Sequence, residues 1–217
     1  MESRILTKAD MPAHLLEIPQ PPEKLWARGS WGPKRNKMLA VVGSRDLSPY
    51  GREACQSLIK GLAGYPISII SGLALGTDAC AHDAALAAGL HCIAVPGSGL
   101  GDRIISPRTN AALAANILSA GGLQLSEHPD DYTPRPYDFP SRNRIMVGLS
   151  QAVLLIEAGN RSGTLVTARL THEYNRELLC VPHRITDPHG FGTNLFVRLG
   201  ATLVAEPAHI LEVLGFN

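Results

Sequence analysis

Residues 67–78 read Ile67-Ser68-Ile69-Ile70-Ser71-Gly72-Leu73-Ala74-Leu75-Gly76-Thr77-Asp78; an alanine-rich stretch follows at 79–90, and then His91-Cys92-Ile93-Ala94-Val95. The runs 67–70 and 91–95 are short, rich in β-branched residues and apolar on both faces, which marks strands without a wet side. The intervening pattern at 77–88 is helical. Its small residues, Ala79, Ala81, Ala84, Ala85, Ala87 and Ala88, permit close approach to a sheet. A strand, a glycine loop, a helix and a second doubly buried strand make a βαβ unit, whose strands are parallel and covered on both sides.

The same alternation extends in both directions. Further strand candidates lie at 38–42, 123–126, 152–156, 178–181 and 202–204. Helical patterns separate them at about 50–63, 108–120, 141–149, 163–175, 192–199 and 207–214. The fold class expected is α/β, a doubly wound, mostly parallel sheet of extended Rossmann-like type spanning 38–217. Residues 1–37 differ. Pro12, Pro19, Pro21, Pro22 and Pro33 interrupt them. They read as a short Pro-rich extended arm with one short helix, laid on the domain by Leu15, Leu16, Ile18, Leu25 and Trp26.

Hydrophobic residues make up 45% of the 217 and charged residues 18%, which fits a globular chain with a substantial core. Net charge is +1, so any anion site must be local. Cys55, Cys80, Cys92 and Cys180 are widely spaced with no C-x-x-C pair. They read as free thiols of a reducing compartment rather than a disulfide framework or zinc site. The start from Met1 to Asp10 is polar, and no apolar run reaches the roughly 18 residues of a membrane span. A cytoplasmic protein without membrane contact is expected.

Ligands of open parallel sheets bind outside the carboxyl ends of the strands. Those ends here run into Gly43-Ser44-Arg45, into 71–78, into Pro96-Gly97-Ser98-Gly99-Leu100-Gly101, and into Glu157-Ala158-Gly159-Asn160-Arg161-Ser162-Gly163-Thr164. Glycine admits a ligand close to the backbone, and hydroxyls and free N–H groups bind phosphate oxygens. To this rim the stretch Phe139-Pro140-Ser141-Arg142-Asn143-Arg144 adds two arginines, an amide and a ring just before the apolar run 145–149. Arginine at a helix start opposes the helix dipole, and an external anion would supply a reason for it. The candidate rim cations are Arg45, Arg108, Arg142, Arg144 and Arg161, with Arg103 nearby. Tyr50, Tyr137, Phe139 and Phe191 fall in or beside the same loops. Arginines interleaved with rings suit a strand of phosphates and splayed bases.

Named enzyme motifs do not match. Gly97 to Asp102 breaks G-x-G-x-x-G at its last position; 159–164 has no P-loop lysine; G-x-S-x-G and H-E-x-x-H do not occur. His82 reads as a structural histidine, and Asp78 as a helix cap or the holder of a rim arginine. Glu127 and Glu157 are candidates to orient Arg142, Arg144 or Arg161. No catalytic residue, metal or cofactor is expected.

At these residues the chain resembles the DNA-processing protein A family (DprA, also called Smf). The resemblance runs through VGSR at 42–45, SGLALGTD at 71–78 with Ala81-His82, and PGSGL at 96–100. It continues through Pro107 with Asn110, FPSRNRI at 139–145, SGTLVTA at 162–168, Asn175-Arg176-Glu177 and Gly192-Thr193-Asn194. It implies a non-catalytic, Rossmann-like protein that binds single-stranded DNA, protects it during natural transformation and helps load the RecA recombinase, usually as a homodimer. The implied DNA contacts are Arg45, Arg108, Arg142 and Arg144. With the rim loops they give a candidate set that also contains Gly43, Ser44, Gly72, Gly97, Ser98, Gly99, Asn110, Phe139, Asn143, Ser162, Gly163 and Thr164. The helix-bundle and winged-helix-like domains often found at the family's two ends are not legible here. The usual Gly-Ile-Asp is Gly76-Thr77-Asp78, and the usual Pro-Gly is Pro182-His183.

Two rival readings differ in class. A phosphoribohydrolase of the lysine-decarboxylase-like family would carry P-G-G-x-G-T-x-x-E, and Thr167 stands where its glutamate belongs. A hydroxyl cannot stabilise an oxocarbenium charge as a carboxylate does. A small-nucleotide sensor without catalysis is the other. For self-association the apolar candidates are Leu195, Phe196, Leu199, Ile210, Leu211 and Leu214.

Overall fold

The computed structural model describes residues 2–160 and 163–216. The chain runs β1 (Arg4–Thr7), α1 (Ala13–Leu16), β2 (Lys24–Gly29), β3 (Lys37–Val42), α2 (Pro49–Lys60), β4 (Ile67–Ser71), α3 (Thr77–Ala87) and β5 (His91–Ala94). It continues through α4 (Ala111–Ser119), β6 (Leu123–Ser126), α5 (Asp138–Leu149), β7 (Ala152–Leu155), α6 (Thr164–Glu173), β8 (Glu177–Cys180), α7 (Phe191–Arg198), β9 (Thr202–Leu203) and α8 (Pro207–Val213). The strands form one nine-stranded sheet in the order β1-β2-β6-β5-β4-β3-β7-β8-β9. All pairings from β6 across to β9 are parallel.

Strand parity divides the core into two layers. Leu39 and Val41 of β3 face Cys55, Leu58 and Ile59 of α2, Ala81 and Ala85 of α3, and Ile210 of α8. Ala40 and Val42 face Leu15 of α1, Ile145, Met146 and Leu149 of α5, and Ala168 of α6. Fully burying one such aliphatic side chain contributes roughly 1.5–3 kcal/mol, so both layers are needed to hold a sheet with no wet face. The doubly wound α/β fold anticipated from the βαβ stretch is the fold observed.

Two features go beyond that expectation. The N-terminal segment is bonded in as sheet: β1 pairs antiparallel with β2, and β2 pairs antiparallel with β6. Leu15, Ile18 and Leu25 of this segment are buried, and Arg28, also buried, donates to the Leu100 carbonyl and to Asp102 at 2.6 Å each. In addition, α5 begins at Asp138, three residues before the helix expected at 141. Pro140 is tolerated there because first-turn N–H groups have no intrahelical acceptor. Asp138 supplies the negative charge that a helix start favours, and it accepts from Arg135 N at 2.7 Å and the Tyr132 hydroxyl at 2.9 Å.

The four cysteines are buried free thiols, and burial pushes Cys92 and Cys180 up to about 12. Among the described residues no helix is long and apolar enough to cross a membrane. Of the self-association candidates, Ile210 and Leu214 face the core, because α8 packs on α2, whereas Leu199 is 66% exposed.

Candidate nucleic-acid interface

From β3 the chain steps through β4 and β5 to β6 on one side, while β7, β8 and β9 lie on the other. The crevice between the carboxyl ends of β3 and β7 is therefore the topological switch point, where doubly wound sheets bind ligands. A cavity of about 480 Å³ opens there. Its walls are Gly43, Ser44, Arg45 and Asp46 after β3, Ala74 and Asp78 after β4, Gly163, Thr164 and Thr167 around the start of α6, and one face of α5. That face carries Phe139, Arg142, Asn143 and Met146, spaced as neighbours on a helix.

The local sequence explains the shape. A Cβ at Gly43 would collide with Thr77, so only glycine lets the β3 loop rest on α3. The Gly43 carbonyl accepts from the Thr164 hydroxyl at 3.1 Å, joining the loop to α6. Ser44 closes a turn on Asp46, accepting from its N–H at 3.1 Å and donating to its carbonyl at 2.9 Å. Exposed Arg45 then lies over the Phe139 ring, 5.3 Å from its centroid. Asn143 donates to the Thr167 hydroxyl at 2.8 Å.

Arg142 forms the floor. It is 6% exposed and donates to the Gly72 carbonyl at 2.5 Å and to the Val95 carbonyl, which end β4 and β5. Its Nε donates to Asn143 Oδ1 at 3.1 Å. Burial pushes its pKa down to about 10, opposed by Asp78, so it stays cationic at neutral pH. Asp78 is held by the N–H groups of Gly72 at 3.1 Å and Ala74 at 3.2 Å. Its pKa is raised, because burial outweighs Arg142 and those donors. Arg142 and Asp78 act on each other across the floor, and among the described lining residues Arg45 is the exposed cation.

The structure thus brings Gly43, Ser44, Arg45, Phe139, Arg142, Asn143, Gly163 and Thr164 together. Ser162, with Arg161, lies outside the described residues. The remaining candidates are elsewhere. Gly72 sits under the Arg142 guanidinium, where a Cβ would collide with it. Gly97, Ser98 and Gly99 are buried rather than open on the rim: the segment 129–132 covers them, with Gly99 N donating to the Tyr132 carbonyl at 3.0 Å. Gly97 still matters to the cavity, since Phe139 rests on it. Asn110 is buried and donates to the carbonyls of Leu73 at 2.9 Å and Ala74 at 3.1 Å; exposed Arg108 donates to the Asp102 carbonyl at 2.7 Å. Arg144 points off the cavity face of α5 and pairs with Glu127 at 2.5 Å, as expected of that carboxylate. Glu157 orients none of the described rim arginines; it is fully buried against Ser48, His183 and His189. Val42, Ala74, Pro140 and Met146 were not in the candidate set, and helical spacing from Phe139 was the signal available for Met146.

The family model described as DNA recombination-mediator protein A matches residues 3–215. This chain belongs to that family. Protein Smf of Escherichia coli is 44% identical over 206 residues, covering 95% of this chain and 54% of that protein, so the chain spans about half the length of this relative. The crystal structure of DNA processing protein A from Streptococcus pneumoniae superimposes with a TM-score of 0.91 at 35% identity, covering 97% of this chain and 74% of that one. DNA processing protein A from Helicobacter pylori, described for its single-stranded DNA binding mode, gives 0.83 at 28% identity over 99% of this chain and 98% of that one. The matched span starts before β1, so the antiparallel strands β1 and β2 lie within it.

Proposed function

We propose that this chain binds single-stranded DNA at the switch-point cavity without transforming it, and that it acts as a homodimer in the cytoplasm to protect the strand and load a RecA-type recombinase during DNA uptake and recombination. The observation that carries the reading is the Arg45–Phe139 pair at the mouth of a glycine-walled crevice. It sets a backbone-seeking cation beside a ring that stacks on any base, which is chemistry for strands rather than for one sequence. The family's recombination-mediator description supports the recombinase role. The non-catalytic reading is supported by Thr167, whose hydroxyl is buried and held by Asn143 where a hydrolase would need a carboxylate. Asp78, the buried acid beside it, is held by backbone amides.

Titration with labelled oligonucleotides tests the reading. Arg45→Ala weakens single-strand affinity by roughly 1–3 kcal/mol, the range for charge-assisted bonds. It also flattens the salt dependence by about 0.7 in log–log slope, one phosphate contact on a single strand. A folded Arg45→Ala protein with wild-type affinity and slope removes the cavity from the binding site.

For the dimer, Leu199 at the end of α7 and Leu203 on the edge strand β9 are exposed apolar positions, at 66% and 43%. A C2 contact through them would bury both and join two rims. Leu199→Arg is expected to halve the mass seen by light scattering. A wild-type protein that is monomeric at high micromolar concentration rules the assembly out.

A further inference from the structure

The loop after β3 serves two places. Its first half, 43–46, walls the switch-point cavity; its second half leads through Ser48 into the first turn of α2 and carries Tyr50 toward the end of β8. There a second cavity of about 600 Å³ opens between Tyr50 and the segment after β8, lined by Pro182, His183, Arg184 and Asp187. The two cavities lie on the same carboxyl rim, on either side of the β7 end.

Tyr50 is 45% exposed yet fixed at both ends. Its hydroxyl donates to the Pro182 carbonyl at 2.8 Å, and its ring meets His183 edge-to-face at 4.9 Å. An exposed ring held in one orientation loses little entropy when a base stacks on it. The support beneath is rigid. The His183 side chain is fully buried, 3.6 Å from Glu157, and hydrogen-bonds Thr193 at 3.2 Å. Glu157 accepts from Ser48 N at 3.0 Å and from the Ser48 hydroxyl, which fixes the turn that carries Tyr50. Asp187, on the cleft wall, accepts from His189 N at 2.9 Å. Arg184 is exposed at the mouth, and Ile185 beside it is 97% exposed.

We infer that the Tyr50–Arg184 cleft takes a further nucleotide of the bound strand, its base against the Tyr50 ring and its phosphate on Arg184. This rests on the single-strand reading of the first cavity. It makes the binding track longer than one crevice and gives it a direction, from α5 across the β3 loop to β8.

The test compares oligothymidylates of increasing length with thymidine monophosphate, each titrated against the full chain. The gain in affinity on lengthening shrinks roughly 5- to 100-fold in Tyr50→Ala, the loss of one base–aromatic stack. Tyr50→Phe restores it, because the ring and not the hydroxyl meets the base. Arg184→Glu reduces the same gain and the salt slope; Arg45→Ala lowers affinity at every length. Melting curves show which variants are folded. Folded Tyr50→Ala and Arg184→Glu proteins that keep the full length-dependent gain overturn the cleft while leaving the first cavity intact. Wild-type protein that binds no oligothymidylate overturns the single-strand reading itself. Thymidine monophosphate bound as tightly as the long oligonucleotide, and lost in Tyr50→Ala, makes the cleft a free-nucleotide site and also overturns the inference.

Discussion

Arg142→Ala is expected to destabilise the protein by about 3–5 kcal/mol, from two buried carbonyls left without a charged donor and a buried carboxylate left without its neighbouring cation. The alanine leaves the Gly72 and Val95 carbonyls without their donor and strands the Asp78 carboxylate in a buried site. At about 2–4 °C per kcal/mol for a chain of this size, the melting temperature falls by roughly 10 °C. Arg142→Ala combined with Asp78→Asn recovers part of the loss, since the uncompensated charge goes with its partner. Urea unfolding of the two single variants and the double variant checks this. Stability within 1 kcal/mol of wild type in Arg142→Ala, a threshold near the scatter of surface substitutions, would show that the guanidinium is not the floor of the site.

The second large effect is a pH dependence centred on His82. This residue of α3 is fully buried, and burial pushes its pKa down to about 4, against a small opposing pull from the Ser71 backbone and with Arg142 adding to the depression. In the unfolded chain the imidazole takes up its proton near pH 6.5. The neutral folded form is therefore favoured fully above about 6.5, and this contribution is lost as pH falls toward 4. Integrated over that window the loss is about 3 kcal/mol. His82→Leu removes the titration, so its stability falls less than that of wild type between pH 7 and pH 4.5. Asp78 titrates in both proteins and cancels in the difference. Parallel stability curves for the two would place the His82 proton equilibrium at its unfolded value.

Most of the fold was legible because the parallel strands carry their signal in single short runs. Stretches such as 67–70 and 152–156 are apolar on both faces, and a strand buried on both faces looks like nothing else when glycine loops bound it. β1 and β2 were harder. Lys24-Leu25-Trp26-Ala27-Arg28-Gly29 mixes charge and bulk because Lys24 meets solvent while Arg28 is buried on the Leu100 carbonyl and Asp102, and the prolines on either side mask its weak alternation. In the site, residue type was legible and orientation was not. Nothing local separates Arg45, which faces out over Phe139, from Arg142, which is drawn under by two strand-end carbonyls. Each follows a serine, Ser44 and Ser141, at the sheet's carboxyl rim. The difference is made by Gly72 and Asp78, residues brought beneath Arg142 only by tertiary packing. Ser98 and Asn110 likewise have the chemistry of a phosphate site and are occupied by backbone groups of their own fold.

Trp26 of β2 faces Ser126 of β6 across the sheet, a partner made a hundred residues later in synthesis. β1 and β2 thus have no complete edge to join until β6 has emerged and paired with β5. During that interval β1 and β2 can offer each other only an isolated hairpin, which is marginal in water. On that side of the sheet the topology requires β6 to seat on β5 before β2, and then β1, can be paired. Two strands made before the rest of the sheet must therefore wait for a partner that closes a separate βαβ crossover.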